Sequence, residues 1–272
     1  MHAMRIGFVG AGRMGRPMIQ RLVAAGHEVT ALGRNADARR AIIELGAQAV
    51  PFPAATGTRA DAVIICVFTD EQVRAVCLDT PLLETMPPGS VLAVHTTGSP
   101  RTVEAIAAVA DSHDIEVLDV PVSGGPYDIA AGQLTLFGGG DAAALERIRP
   151  ALASYGDPIL HLGPLGSGQR VKLVNNVLFA AQIGLVAESV RLATQLGVEE
   201  SALLSALPHA SSAGRALGSV AAKGSVAAFA ESVGEFLRKD VSVARNLAAE
   251  LNADLGPLAT AIDAADHRNP GD

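Results

Sequence analysis

In the first half of the chain, short apolar runs alternate with stretches of helical spacing. Arg5–Val9 reads as a strand that runs straight into a glycine-rich loop. Residues 13–25 repeat apolar positions every three or four residues and stop at Gly26, the pattern of a helix closed by a left-handed cap. Glu28–Leu32 predicts a second strand, and residues 37–45 a second helix stopped by Gly46. Residues 62–68, AVIICVF, form one β-branched run, as in a strand buried on both faces. Val91–Val94 and residues 116–120 repeat that run on either side of a helix over Pro100–Ala110. Residues 134–137 and a helix from Asp141 follow. Strands alternating with helices predict an α/β fold with a mostly parallel, doubly wound sheet.

Beyond Gly163-Pro164-Leu165-Gly166-Ser167-Gly168 the strand pattern stops. Residues 169–197 read as one long helix, with further helices over 199–207, 213–222 and 225–251. The change divides the 272 residues into an α/β domain over 1–163 and an all-helical domain over 164–272 that includes the long helix.

Composition narrows the function classes. At 49% hydrophobic the chain excludes disorder. Its apolar runs fall short of the roughly 20 residues of a membrane span, and Met1-His2-Ala3-Met4-Arg5 lacks the regions of a signal peptide. A net charge of −7 with both signs mixed argues against nucleic acid. Cys66 and Cys77 stand apart and read as reduced core thiols, and the seven histidines have no metal-ligand spacing. The cytoplasm is the expected compartment, with no metal, membrane or nucleic-acid partner.

The loop Gly10-Ala11-Gly12-Arg13-Met14-Gly15 follows the first strand and opens the first helix. In that context GxGxxG has a mechanism: the first glycine makes the turn, the second admits a pyrophosphate, and the third lets helix and strand pack. The loop predicts a dinucleotide site on a Rossmann domain. An NAD site places an acid about 20 residues on, at the end of the second strand. Here Leu32-Gly33-Arg34-Asn35 has none, and Arg34 is either a partner for a 2′-phosphate, favouring NADP, or a solvated surface charge.

Of 21 basic residues only Lys172, Lys223 and Lys239 are lysines. Lysine, unlike arginine, exchanges its proton once its surroundings shift it. Lys172 lies in Gly166-Ser167-Gly168-Gln169-Arg170-Val171-Lys172-Leu173-Val174-Asn175-Asn176, with Asn176 one helical turn on. Two further segments follow strands: Thr96-Thr97-Gly98-Ser99-Pro100 and Asp119-Val120-Pro121-Val122-Ser123-Gly124-Gly125-Pro126. Both fall at the edge where doubly wound sheets bind ligands.

In order and spacing, GFVGAGRMGRPM, DVPVSGGP, AAGQLTLFGGG and GSGQRVKLVNN resemble the signatures of the β-hydroxyacid dehydrogenase family. That group includes 3-hydroxyisobutyrate dehydrogenase and shares the NAD(P)-binding domain of 6-phosphogluconate dehydrogenase. The resemblance implies hydride transfer between NAD(P) and a small 3-hydroxy acid or its semialdehyde. It implies Lys172 as general acid/base, Asn176 as its orienting partner beside Asn175, and Ser123, Gly124 and Gly125 as the loop for a substrate carboxylate. Val67, Phe68, Gln72 and Thr96 match cofactor-contacting positions, joined by Arg34 and Asn35. Lys239 matches a second lysine near the nicotinamide. The family implies a homodimer or homotetramer.

Two other readings compete. An imine reductase of this fold lacks the lysine as a rule, and an idle dinucleotide-binding module would be expected to lose Lys172 or the SGG loop. Departures also stand out. His95-Thr96 replaces Asp-Ser, leaving His95 packed, solvated or against the nicotinamide ribose. Tyr127-Asp128 replaces a small pair after SGG, and the tail over residues 266–272 is short. His209, Ser211, Ser212 and Arg215 are either pocket-lining or helix-end residues.

Overall fold

The computed structural model describes residues 3–264, so the expected short tail lies outside the described residues. The chain forms two compact units, Met1–Lys172 and Leu173–Asp272.

In the first unit β1 (Arg5–Val9), α1 (Gly15–Ala24), β2 (Glu28–Leu32), α2 (Ala36–Glu44) and β3 (Gln48–Val50) form one half of the sheet. After α3 (Pro53–Gly57) come β4 (Ala62–Ile65), α4 (Asp70–Leu78), α5 (Leu82–Thr85), β5 (Val91–Val94), α6 (Pro100–Ala110) and β6 (Glu116–Asp119). The six strands are parallel in the order β3-β2-β1-β4-β5-β6. The order reverses between β1 and β4, the kind of point at which ligand crevices open at the carboxyl ends of strands. Side chains alternate across the sheet, so each face has its own core. Phe8, Ile64, Ala93 and Leu118 pack on one face with Met18, Ile19 and Leu22 of α1. Val9, Val63, Ile65, Leu92 and Val94 pack on the other with Val73, Val103 and Ile106.

The expected strand over 62–68 ends early, at Ile65. The Cys66 N–H still reaches Val9, but Val67 and Phe68 turn aside to bond Thr96 and Gln72. Residues 134–137 do not extend the main sheet. β7 (Val122–Ser123), α7 (Pro126–Ala131), β8 (Leu134–Gly138), α8 (Ala142–Leu152) and β9 (Gly156–His161) build a second, three-stranded sheet. There β8 pairs antiparallel with β7 and parallel with β9. β3, β7 and β9 are too short or too exposed to give a periodic signal.

α9 (Ser167–Gln195) begins in the first unit and continues into the second. It is followed by α10 (Glu200–Ala206), α11 (Arg215–Lys223), α12 (Val226–Glu250) and an unexpected α13 (Pro257–Ala264). Within the second unit Leu173, Val177, Ala180 and Ala181 of α9 pack with Val241, Ala244 and Ile262. A second cluster joins Ile183, Leu204, Leu217, Val220 and Phe229, with Phe179 edge-on to Phe229 at 6.4 Å. By length and composition alone α9 meets the test for a membrane span, at a mean hydropathy of 1.4. Its apolar residues are spread along the helix rather than gathered in one unbroken run. Part of its apolar surface supplies the core of the helical unit, through Leu173, Val177, Ala180, Ala181 and Ile183, whereas Val174, Leu178, Leu185 and Leu192 are exposed.

Candidate active site

At two of the three loop glycines, close contacts leave no room for a side chain. Gly10 has φ +113°, and a Cβ there would run into the Cys66 carbonyl. A Cβ at Gly15 would strike the Gly10 carbonyl and come 2.9 Å from the Phe8 ring. Gly12 differs, since a Cβ there meets nothing within 4 Å. Its N–H bonds Gly10 and its carbonyl receives Arg16, so the turn is closed within itself. Met14 caps α1 without a side-chain acceptor; in the first turn the Arg16 N–H is met by the Gly12 carbonyl and Pro17 has no N–H. Open space at Gly12 beside an uncapped helix start fits a pyrophosphate. Ala11 accepts from the exposed Arg16, Arg13 is exposed, and Met14 packs on the core behind the loop.

At the end of β2, Arg34 is exposed. Asn35 is the N-cap of α2, its side chain accepting the Ala38 N–H at 2.8 Å. Arg39 lies over the strand end, donating to the Gly33 carbonyl at 3.1 Å. The pattern of Asn before a helix was available in the sequence as a cap signal.

The ends of β4 and β5 are stitched together by Thr96. Its hydroxyl accepts the Val67 N–H at 3.0 Å and donates to the Val67 carbonyl at 2.9 Å. Gln72 belongs to a capping box with Thr69 at the start of α4, and its side-chain oxygen also accepts the Phe68 N–H at 2.9 Å. These residues shape the rim of the crevice, and Phe68 presents its ring to solvent. His95 does not reach that rim. It is buried, with Nδ1 donating to the Val120 carbonyl and Nε2 accepting the Tyr155 hydroxyl, both at 2.7 Å. Burial pulls its pKa down to about 4, so it is neutral near pH 7. Burial likewise pushes the thiols of Cys66 and Cys77 up to about 12, as expected of unreactive core cysteines.

Ser123 ends β7 opposite Thr135, and Gly124 follows at φ +133°. The Gly125 N–H is already taken, donating to Asp128 at 2.6 Å in the turn that opens α7. The same carboxylate oxygen lies 2.8 Å from where a Cβ on Gly124 would stand. A negative charge therefore abuts the loop expected to hold a carboxylate. Tyr127 is 84% exposed.

Two residues inside the quoted motifs, given no role there, tie this edge together. Asp119, fully buried at the end of β6, accepts the Gly166 N–H at 2.6 Å and the Gln169 N–H at 2.7 Å, at the start of α9. Burial raises its pKa to about 6 against the pull of those N–H groups. Gln169, also buried, accepts the Gly98 N–H at 3.0 Å and donates to the Thr96 carbonyl at 2.8 Å. The available signal was an acid in a strand otherwise buried on both faces, where a charge must find partners. Lys172 follows Gln169 by three residues and is 8% exposed.

Further along α9, in the helical unit, Asn175 donates to the Asn176 side-chain oxygen at 2.9 Å. Asn176, buried, donates in turn to Asp240 of α12, whose other oxygen is 2.7 Å from Lys239. Lys239 thus sits in an ion pair with its neighbour. His209, Ser211, Ser212 and Arg215 are exposed, and Ser212 lines an apolar cavity of about 550 Å³ within this unit.

The three loop glycines make separable predictions. Gly12→Ala should keep the melting temperature within about 2 °C while weakening NADPH binding at least about 10-fold, read by nucleotide fluorescence. Gly15→Ala should lose stability, because its Cβ meets backbone. Equal behaviour of the two variants would refute this division of roles.

Comparison with known proteins agrees with this architecture. The profile of the NAD-binding domain of 6-phosphogluconate dehydrogenase matches residues 5–163. That of the NAD-binding domain of NADP-dependent 3-hydroxyisobutyrate dehydrogenase matches residues 166–267. An NAD-dependent L-serine dehydrogenase of Pseudomonas aeruginosa is 35% identical over 78% of this chain and 72% of its own. The structure of Mycobacterium tuberculosis 3-hydroxyisobutyrate dehydrogenase with L-serine superposes with a TM-score of 0.86 at 29% identity, covering 97% of this chain and 93% of that one. An imine reductase from Pseudomonas sp. shares the fold, with a TM-score of 0.67 at 19% identity over 96% of this chain and the whole of its own. The chain belongs to the β-hydroxyacid dehydrogenase family and is an NAD(P)-binding oxidoreductase.

Proposed function

We propose that the protein interconverts a small 3-hydroxy acid and its semialdehyde or keto form, preferring NADP, with Lys172 as the proton donor and acceptor. The observation that carries this reading is a buried lysine, in a chain with only three, set just after a helix start held by Asp119 and Gln169. Bound NAD(P) supplies or takes up the hydride. Reduction of a carbonyl builds negative charge on oxygen, and the Lys172 ammonium gives its proton there; in oxidation the neutral amine removes the hydroxyl proton. Asn176, one helical turn on from Lys172 along α9, has the orienting role that the family resemblance implies. Ser123 and the Gly124 N–H hold the carboxylate, with the Gly125 N–H bound to Asp128.

Lys172 also weighs against the imine reductase reading, since enzymes of that kind lack it as a rule. The imine reductases alike in structure are below 25% identity and bear on the fold alone.

The decisive experiment is a panel of 3-hydroxyisobutyrate, 3-hydroxypropionate and L-serine, run with both cofactors and read by nicotinamide absorbance. Lys172→Ala should lower turnover about 100-fold or more with NADPH binding nearly intact; near-normal turnover removes Lys172 from the mechanism. Arg34→Ala should weaken NADPH binding by about 10-fold and NADH binding far less, since only the former carries a 2′-phosphate. Equal losses would sink the NADP preference. Asp128→Asn should raise kcat/KM for 3-hydroxypropionate about 5-fold, the scale of one relieved like-charge contact near the surface. An unchanged or lower value would show that Asp128 does not bear on substrate charge.

A further inference from the structure

The buried side chain of Gln169 does more than fill space. Both ends of its amide are used, the oxygen by the Gly98 N–H and the nitrogen by the Thr96 carbonyl. Its own N–H is held by Asp119. Thr96 passes the connection on, through two hydrogen bonds to Val67 at the end of β4. One path of polar contacts, buried at Gln169 and half-buried at Val67, therefore joins the ends of β4, β5 and β6 to the first turn of α9. Lys172 stands three residues beyond Gln169, on the neighbouring position of the helix surface. An amide buried in this way is costly unless fully paired, so the network tolerates little displacement of any member.

We propose that Gln169 is a positioning residue that holds Lys172 in register with the loops at Val67 and Thr96, where the reactive end of a dinucleotide would lie. The proposal rests on the reading of Lys172 as the proton donor. Asn at this position is one methylene short of spanning Thr96 and Gly98, and Glu would set a carboxylate against the Thr96 carbonyl. The amide of Gln is the group that meets an acceptor and a donor together.

A double-mutant cycle separates positioning from general loss of structure. Gln169→Leu, alone and with Lys172→Ala, is assayed on whichever of the three panel compounds is turned over. Gln169→Met serves if the Leu variant does not fold. Gln169→Leu should lower kcat about 30-fold with NADPH binding within about 3-fold of the parent, and cost less than about 3-fold more once Lys172 is gone. Because the chain has three lysines, reductive methylation with ¹³C-formaldehyde gives a second readout that needs no substrate. The Lys172 signal, assigned with Lys172→Arg, should move in Gln169→Leu while those of Lys223 and Lys239 stay in place.

Equal losses of kcat in both backgrounds, or an unmoved Lys172 signal, would overturn the positioning role while leaving the catalytic reading intact. Near-normal turnover of Lys172→Ala would overturn the catalytic reading and the positioning role with it.

Discussion

The buried carboxylate of Asp119 is the interaction on which the candidate site depends. A long helix begins with several N–H groups that lack partners, and its dipole favours negative charge there. Asp119 meets both needs at the end of β6. Glycine at 139 and 168 follows from the same contact, because a Cβ at either would run into Asp119 or the backbone beside it. Burial holds the carboxylate against ionisation, and the N–H groups oppose that, so the charge is kept by the helix start that it anchors. Lys172 inherits its place from this joint.

The main sheet was legible because each face buries alternate residues of strands that read as apolar runs. Glu28–Leu32, Val91–Val94 and Pro100–Ala110 stand where the pattern put them. Strands without periodicity were not legible. β9 carries Asp157 and Pro158 and is largely exposed, so nothing in its residues announces a partner. The long helix reads as a helix, but polar residues interrupt its apolar ones, so no single run discloses its apolar content.

Site residues were legible where chemistry demands a local pattern. The glycine loop is of that kind, since spacing alone carries its turn and its packing. Gln72 and Asn35, both expected beside a cofactor, also close helix starts with their side chains, a signal present in Thr69-x-x-Gln72. His95 stayed open between packing and ribose contact, because its partners Val120 and Tyr155 lie 25 and 60 residues away. The pairing of Gln169 with Thr96 and Gly98 has the same cause: 73 and 71 residues separate them, and a periodicity window sees neither.

The stitching of the crevice rim has a consequence for how a ligand is received. Val67 and Phe68 are tied to Thr96 and Gln72, and Asn35 to Ala38, through hydrogen bonds within this one chain. A rim already fixed by its own contacts surrenders little conformational freedom when a dinucleotide arrives. The ordering cost of association then falls mainly on the flexible ligand rather than on the protein. In a site of this kind, affinity is raised by contacts to the nucleotide's own rotatable groups, and stiffening the rim further adds little.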